Sequence, residues 1–510
     1  MANLGALADR GRILEFDLDT LPVDAAERIL GCSPRIVGVG VHIWNVSRAT
    51  ELVLLLKRLR PDVAVVVGGP EVGHQGDEPE ICDLADHVVR GEGEEAFRSL
   101  CMALLEGRDA GPRRIEAPPP ALETLELPYD LYDQDDLAHR TVYVEASRGC
   151  PFGCEFCLSS LDRRVRQVPL PRLLPALDRL LDRGALRFKF VDRSFNVDAE
   201  AATGLLQFFL DRSRQGLFLH FEVVPDRLPG PVGRLIQRFP PGSIQVEVGV
   251  QTFDPEVARR IGRNQDPAAV ERTLRFLLQE TGAHVHADLL IGLPGEDLES
   301  FATGFDRLVA LTPHEIQLGL LKRLRGTTIR RHEGEWGLVF NDRPPYEIVR
   351  TGQIGFPTMQ RLRRMSRFFD LLFNSGRFVE TVRLLWRQGS PFARFLALSD
   401  WLHGTTGRTS GFSPRSLAEL LLRYGTAEAG LDREAIEEVM ARDFARTCGD
   451  PPPFLSERLP PRPSVARAGV GSAPLRQGRH RGVAGRPGVP GAATGHGVGG
   501  PGRSGGAPGV

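Results

Sequence analysis

Val142-Tyr-Val-Glu-Ala-Ser-Arg-Gly-Cys-Pro-Phe-Gly-Cys-Glu-Phe-Cys-Leu158 decides how this chain is read. Its first five residues have the composition of a short strand, and three cysteines follow almost at once. Cys150, Cys154 and Cys157 have the spacing C-x3-C-x2-C, with the aromatic Phe156 just before the last. Iron–sulfur clusters are held by thiolates, and a cubane ordinarily takes four. Three on one short loop bind three irons and leave the fourth open to an outside ligand, which points to chemistry rather than electron storage. A structural zinc site takes four ligands, usually as two spaced pairs. No second Cys or His pair accompanies this triplet: His139 lies upstream, and the next cysteine is Cys448. Seven cysteines form an odd, scattered set without a secretory signal, which argues against disulfides. Cys32, Cys82, Cys101 and Cys448 read as small buried hydrophobes.

Downstream, the strand–helix pattern repeats. Leu173, Leu174, Leu177, Leu180 and Leu181 form the apolar face of a helix that Gly184 closes. Further strands are read at 187–191, 218–223, 244–250, 284–291 and 315–320. Six such units are too few for a complete eight-unit barrel. Barrel chemistry sits at the carboxyl ends of strands, and those ends here carry Asp192, Glu222, Glu247 with Gln251, Asp288 with the turn Ile291-Gly-Leu-Pro-Gly-Glu296, and Lys322 with Arg325. Singly, each reads as well as a helix cap, a solvated charge or an ordinary turn.

Upstream, Ile36–Val41 and Val63–Val67 are near-continuous apolar runs, as in parallel strands buried on both faces. Leu52, Leu55, Leu56 and Leu59 recur at helical spacing between them, and Pro61 stops that helix. Arg12–Phe16 and His87–Gly91 read as further strands. The alternation predicts a doubly wound sheet with its ligand at the carboxyl ends of the strands. Gly68-Gly69-Pro70-Glu71 and Arg90-Gly91-Glu92-Gly93-Glu94 occupy two of those ends. Gly68 and Gly69 alone are also consistent with a tight turn.

The cysteine spacing and the ordered strand ends resemble radical S-adenosylmethionine (SAM) enzymes, over about residues 12–450. The upstream segment resembles the cobalamin-binding domain that precedes the radical domain in many of them. The resemblance implies a doubly wound α/β domain (1–107, its first strand missing), a linker (108–140), a partial (β/α)6 barrel of the TIM type (141–340) and a helical carboxyl-terminal domain of unassigned function (345–450). It implies a 4Fe–4S cluster on Cys150, Cys154 and Cys157, with SAM on the open iron. SAM is then cleaved to methionine and a 5′-deoxyadenosyl radical with an electron from flavodoxin or ferredoxin. Asp192 is the implied contact of the methionine amino group. Glu222 is an implied cofactor contact, Glu247 and Gln251 lie near the ribose in a Glu-x-Gly-x-Gln pattern, Ile291 and Gly292 flank the adenine, and Phe156 completes the cysteine motif. Gly68 and Gly69 are implied to let the backbone approach cobalamin, which would serve methyl transfer. The Asp-x-His-x-x-Gly motif that offers a histidine to cobalt is absent from the sequence. The alternatives are a vestigial first domain with oxidation, cyclisation or bond cleavage, and a non-catalytic iron–sulfur or zinc scaffold.

From Leu455 onward, eight arginines and one glutamate put +7 of formal charge in the tail and leave −8 on the rest, within a net −1. The tail lacks large apolar residues after Leu475 and is expected to be disordered. Without aromatics among its arginines it is a poor nucleic-acid ligand. No apolar run approaches the roughly 20 residues of a membrane span, and no targeting pattern opens the chain. The expectation is a cytoplasmic enzyme without a membrane partner.

Overall fold

The computed structural model describes residues 1–447 apart from 388, together with 451–456, 458 and 459. The 455–510 tail and Cys448 fall almost wholly outside these residues. The amino-terminal sheet holds β1 (Ile36–Gly40), β2 (Ala64–Gly68), β3 (His87–Gly91) and β4 (Arg114–Ala117), all parallel and in sequence order. The apolar runs became β1 and β2, and the leucine face became the helix Val46–Leu59, which buries Val53 and Leu56. Val65 and Val67 are fully buried, as a sheet covered on both faces requires.

Two expectations fail here. Arg12–Phe16 is not a strand: no residue between Gly11 and Phe16 pairs with a sheet, and Leu14 and Phe16 only pack, partly buried, against the sheet's core. The linker is also shorter than read. Arg114–Ala117 pairs with β3 from Val88↔Arg114 to Gly91↔Ala117, so the sheet extends past residue 107. Its composition hid it, because only Ile115 offers a large apolar side chain. Cys82 and Cys101 are buried as expected, but Cys32 is exposed, in the turn after the helix Pro22–Leu30.

The second sheet contains β5 (Val142–Val144), then, past a two-stranded hairpin, β8 (Arg187–Phe190), β9 (Phe218–Val223), β10 (Ile244–Gln251), β11 (His284–Ile291) and β12 (Glu315–Leu320). All six are parallel and again run in sequence order, the connectivity of an open barrel. The hairpin, β6 (Ser147–Arg148) with β7 (Arg166–Gln167), encloses the cysteine loop. Phe190, Phe195, Phe209 and Phe221 pack ring against ring beneath the strand ends. Each buried ring contributes ~1.5–3 kcal/mol, giving the site a rigid floor.

Helices follow at Phe356–Phe369, running on to Asn374, then at Val379–Leu385, Pro391–Thr406, Pro414–Ala427 and Arg433–Thr447. The last buries Ile436, Met440 and Phe444 at four-residue steps. These helices share the barrel's hydrophobic core.

Candidate active site

The hairpin shapes the cysteine loop through its backbone. Gly149 has φ +91, a left-handed conformation that favours glycine, and Cys150 N donates to Asp162 O at 2.9 Å. Glu155 N reaches Ile261 O at 3.0 Å, and Cys157 N closes a turn onto Cys154 O at 3.1 Å. Cys150 and Cys154 are buried and Cys157 half-buried. Among the described residues, the one set of His, Cys, Asp and Glu close enough to share a single ion is Glu247, His286 and Asp288, not the cysteines. Three thiols, with no fourth Cys and no His among the described residues of the cleft lining, suit a cubane with one open iron better than a structural zinc, which takes four ligands.

All three cysteines and Phe156 line one cleft of about 890 Å³, open mouth included, with Glu222, Glu247, Gln251 and Asp288 opposite. Glu247 Oε2 lies 3.1 Å from His220 Nε2 and 3.9 Å from Lys189 Nζ. Burial alone would raise its pKa, but His220, His286 and Lys189 outweigh burial and hold it ionised well below the usual range. Glu222 shifts the other way: burial raises it despite Arg193 Nη1 at 3.0 Å. Gln251 has φ +69 at a bulge in β10, a strained backbone that turns its side chain over Gly249. A Cβ at Gly249 would stand 2.6 Å from Gln251 Nε2 and 3.3 Å from Arg263 Nη2.

Three expected residues do not line the cleft. Asp192 is buried, with its carboxylate accepting from Ala146 N at 3.0 Å and from Ser147 Oγ, and burial pushes its pKa up to about 6. It ties the end of β5 to the hairpin. Ile291 is buried, and Gly292 faces the carboxyl-terminal region, where a Cβ would meet Ile348 Cγ2 at 2.8 Å. Lys322 and Arg325 are also outside the lining. Arg325 pairs instead with Glu71 at 2.9 Å and Asp77 at 2.7 Å across the domain boundary. Sequence reading missed Arg193 and Arg263, both in the lining. Arg263 Nη1 lies 3.5 Å from Cys154 Sγ, and its Nε donates to Gln265 at 2.8 Å. In a chain with 61 arginines nothing in the sequence marked these two.

A second hollow of about 860 Å³ opens at the carboxyl ends of β1–β3, lined by Gly38, Gly40, Gly68, Gly69, Gly91 and Gly93, with Phe97 at one wall. A Cβ at Gly40 would find only His42 at 3.8 Å, so the space there is open. Gly69 answers to its own chain: at φ +110 its Cβ would stand 2.6 Å from Val41 O.

The comparisons with known proteins follow this layout. Residues 144–308 match the radical SAM superfamily, 5–101 the B12 binding domain, and 334–457 a protein of unknown function, DUF4080. The chain therefore carries a radical SAM domain. More particularly, it carries a B12-binding domain ahead of the radical domain and a DUF4080 region behind it. It is 28% identical to uncharacterized methyltransferase PH0819 of Pyrococcus horikoshii, over 54% of this chain and 64% of that one. It is 24% identical to the cobalamin-dependent radical SAM methyltransferase TokK of Streptomyces tokunonensis, over 72% of this chain and 58% of that one. The chain thus spans less than two thirds of these curated relatives. The solved structure of the cobalamin-dependent radical enzyme OxsB, with aqua-cobalamin and SAM bound, superimposes with a TM-score of 0.54 at 15% identity, over 84% of this chain and 72% of that one. Among the described residues no helix is long and apolar enough to cross a membrane.

Proposed function

We propose that this chain is a radical SAM enzyme of the cytoplasm that reductively cleaves SAM and transfers a methyl group with cobalamin. The observation that carries the reading is the placement of Cys150, Cys154 and Cys157 on one hairpin loop, in the lining of one cleft with the strand-end carboxylates Glu222, Glu247 and Asp288. A 4Fe–4S cluster on these thiols would supply the electron that cleaves SAM, and a cobalamin in the glycine hollow would supply the methyl carrier. The chain's own residues do the rest. Glu247, held ionised by His220 and Lys189, and Glu222 offer acceptors for the ammonium or hydroxyl groups of SAM. Arg263 and Arg193 offer donors for its carboxylate. Phe152 and Phe156 give the cleft an apolar wall that limits water. The glycines of β1–β3 leave backbone bare where a bulky planar ligand approaches. Flavodoxin or ferredoxin is the proposed reductant.

Met1 and Leu4 stand at the rim of the glycine hollow. This favours a second reading, in which the first domain is a scaffold and the reaction proceeds without cobalt. Anaerobically reconstituted protein, given SAM and flavodoxin or dithionite, should release methionine and 5′-deoxyadenosine, and the triple Cys→Ala variant neither. Stoichiometric zinc without iron uptake would refute both readings.

A further inference from the structure

One turn of the chain faces both sites. Gly91, Gly93 and Glu94 line the glycine hollow, while Glu92, between the two glycines, reaches the cysteine hairpin, where Glu94 also meets Arg148. Glu92 Oε2 accepts from Arg148 Nη1 at 2.5 Å and from Arg166 Nη1 at 3.2 Å, and its Oε1 pairs with Arg166 Nη2. Arg148 belongs to β6 and Arg166 to β7, so a single carboxylate from the amino-terminal domain bridges both strands of the hairpin at its neck. Arg148 also donates to Glu94 at 2.7 Å and to Glu145 at 2.9 Å. Arg166 also reaches Pro120 O at 3.1 Å. Neither arginine is more than 19% exposed. Charge-assisted, partly buried bonds of this kind are among the strongest a side chain makes.

We propose that Glu92 is a positioning residue for the cysteine loop, clamping the hairpin so that what fills the glycine hollow is felt at the cluster. The clamp holds Cys150 two residues beyond Arg148. A ligand that fixes Gly91 and Gly93 also fixes Glu92, so the two sites are linked, and by reciprocity a formed cluster tightens the hollow for its ligand. The linkage rests on the reading of the hollow as a cobalamin site; the clamp does not.

The test is the rate at which bathophenanthroline strips iron from reconstituted protein, with and without hydroxocobalamin. Glu92→Gln should release iron roughly tenfold faster or more than wild type, the expected consequence of losing charge-assisted bonds. Its thermal midpoint should fall by no more than a few degrees relative to Glu95→Gln, a control at an exposed neighbour, and its reduced-cluster EPR signal should broaden. Hydroxocobalamin should slow release in wild type and not in Glu92→Gln. Arg166→Gln opens the clamp from the other strand and should behave alike even if Glu92→Gln folds poorly. Equal release in wild type and both variants overturns the clamp. Equal protection by hydroxocobalamin in wild type and variants overturns the linkage. Faster release in the variants with no hydroxocobalamin uptake by wild type leaves the clamp standing and removes the cobalamin reading.

Discussion

The cleft of the barrel and the hollow of the amino-terminal sheet both sit at the carboxyl ends of parallel strands, yet they are built by opposite means. The cleft is made of side chains: thiols, carboxylates, a glutamine on a strained bulge and two arginines. The hollow has six glycines in its lining, beside Phe97, four valines, Glu94 and the Met1, Asn3 and Leu4 side chains. Side chains recognise a small polar ligand atom by atom. Bare backbone accommodates a large, flat one by shape. The difference predicts opposite sensitivities to mutation, adding atoms in the hollow and removing them in the cleft.

The largest effect is expected from Gly40→Leu. That backbone is not left-handed and the space beside it is open, so the fold should survive while hydroxocobalamin uptake, followed by its spectrum, is lost. Uptake at wild-type affinity would break the comparison. Gly69→Leu is the poorer probe, because the clash with Val41 disturbs the loop itself. In the cleft, Glu247→Gln should weaken SAM binding by about 1–3 kcal/mol through the loss of a charged acceptor, measured by calorimetry on reconstituted protein. Unchanged affinity would move the contact elsewhere.

The side-chain-rich barrel should also carry a pH liability. Burial pushes Glu296 up to about 8; among the described residues its carboxyl accepts from Thr252 Oγ1 at 2.6 Å on Oε1, while Oε2 has no partner. The folded state keeps this proton to about pH 8, whereas the unfolded carboxyl gives it up near 4.5. Stability is therefore present below 4.5 and falls as pH climbs between the two values, by up to about 1.4 kcal/mol per pH unit. Denaturant melts at pH 5.5 and 7.5 should show that loss in wild type and a flatter profile in Glu296→Gln. The smallest effect is expected at Asp192. Asp192→Ala should leave SAM affinity within about twofold, since its bonds run to Ala146 and Ser147 rather than into the cleft, and the cost should appear as lost stability of about 1–3 kcal/mol.

The fold was legible wherever apolar periodicity was strong. All six barrel strands and the Val46–Leu59 helix of the first domain stand where their apolar residues put them. The failures share a cause. Arg114–Ala117 is an edge strand with one large apolar residue, and Arg12–Phe16 has three large apolar residues but pairs with no strand among the described residues. In the site, the cysteines and Glu247 were legible from spacing and strand position. Asp192 was misplaced because a strand-end carboxylate can turn inward to its own loop as readily as outward. Arg193 and Arg263 are defined by what they touch, which only the folded chain reveals.

The pairing of β4 with β3 bears on how the molecule can be divided. A fragment ending at Gly107, the boundary that composition suggests, would strip β3 of its neighbour and bare its hydrogen-bonding groups, an invitation to intermolecular pairing and aggregation. A fragment ending beyond Ala117 keeps that edge covered. Limited proteolysis of the intact chain should accordingly spare Arg113 and Arg114 and cut first in the segment beyond the strand.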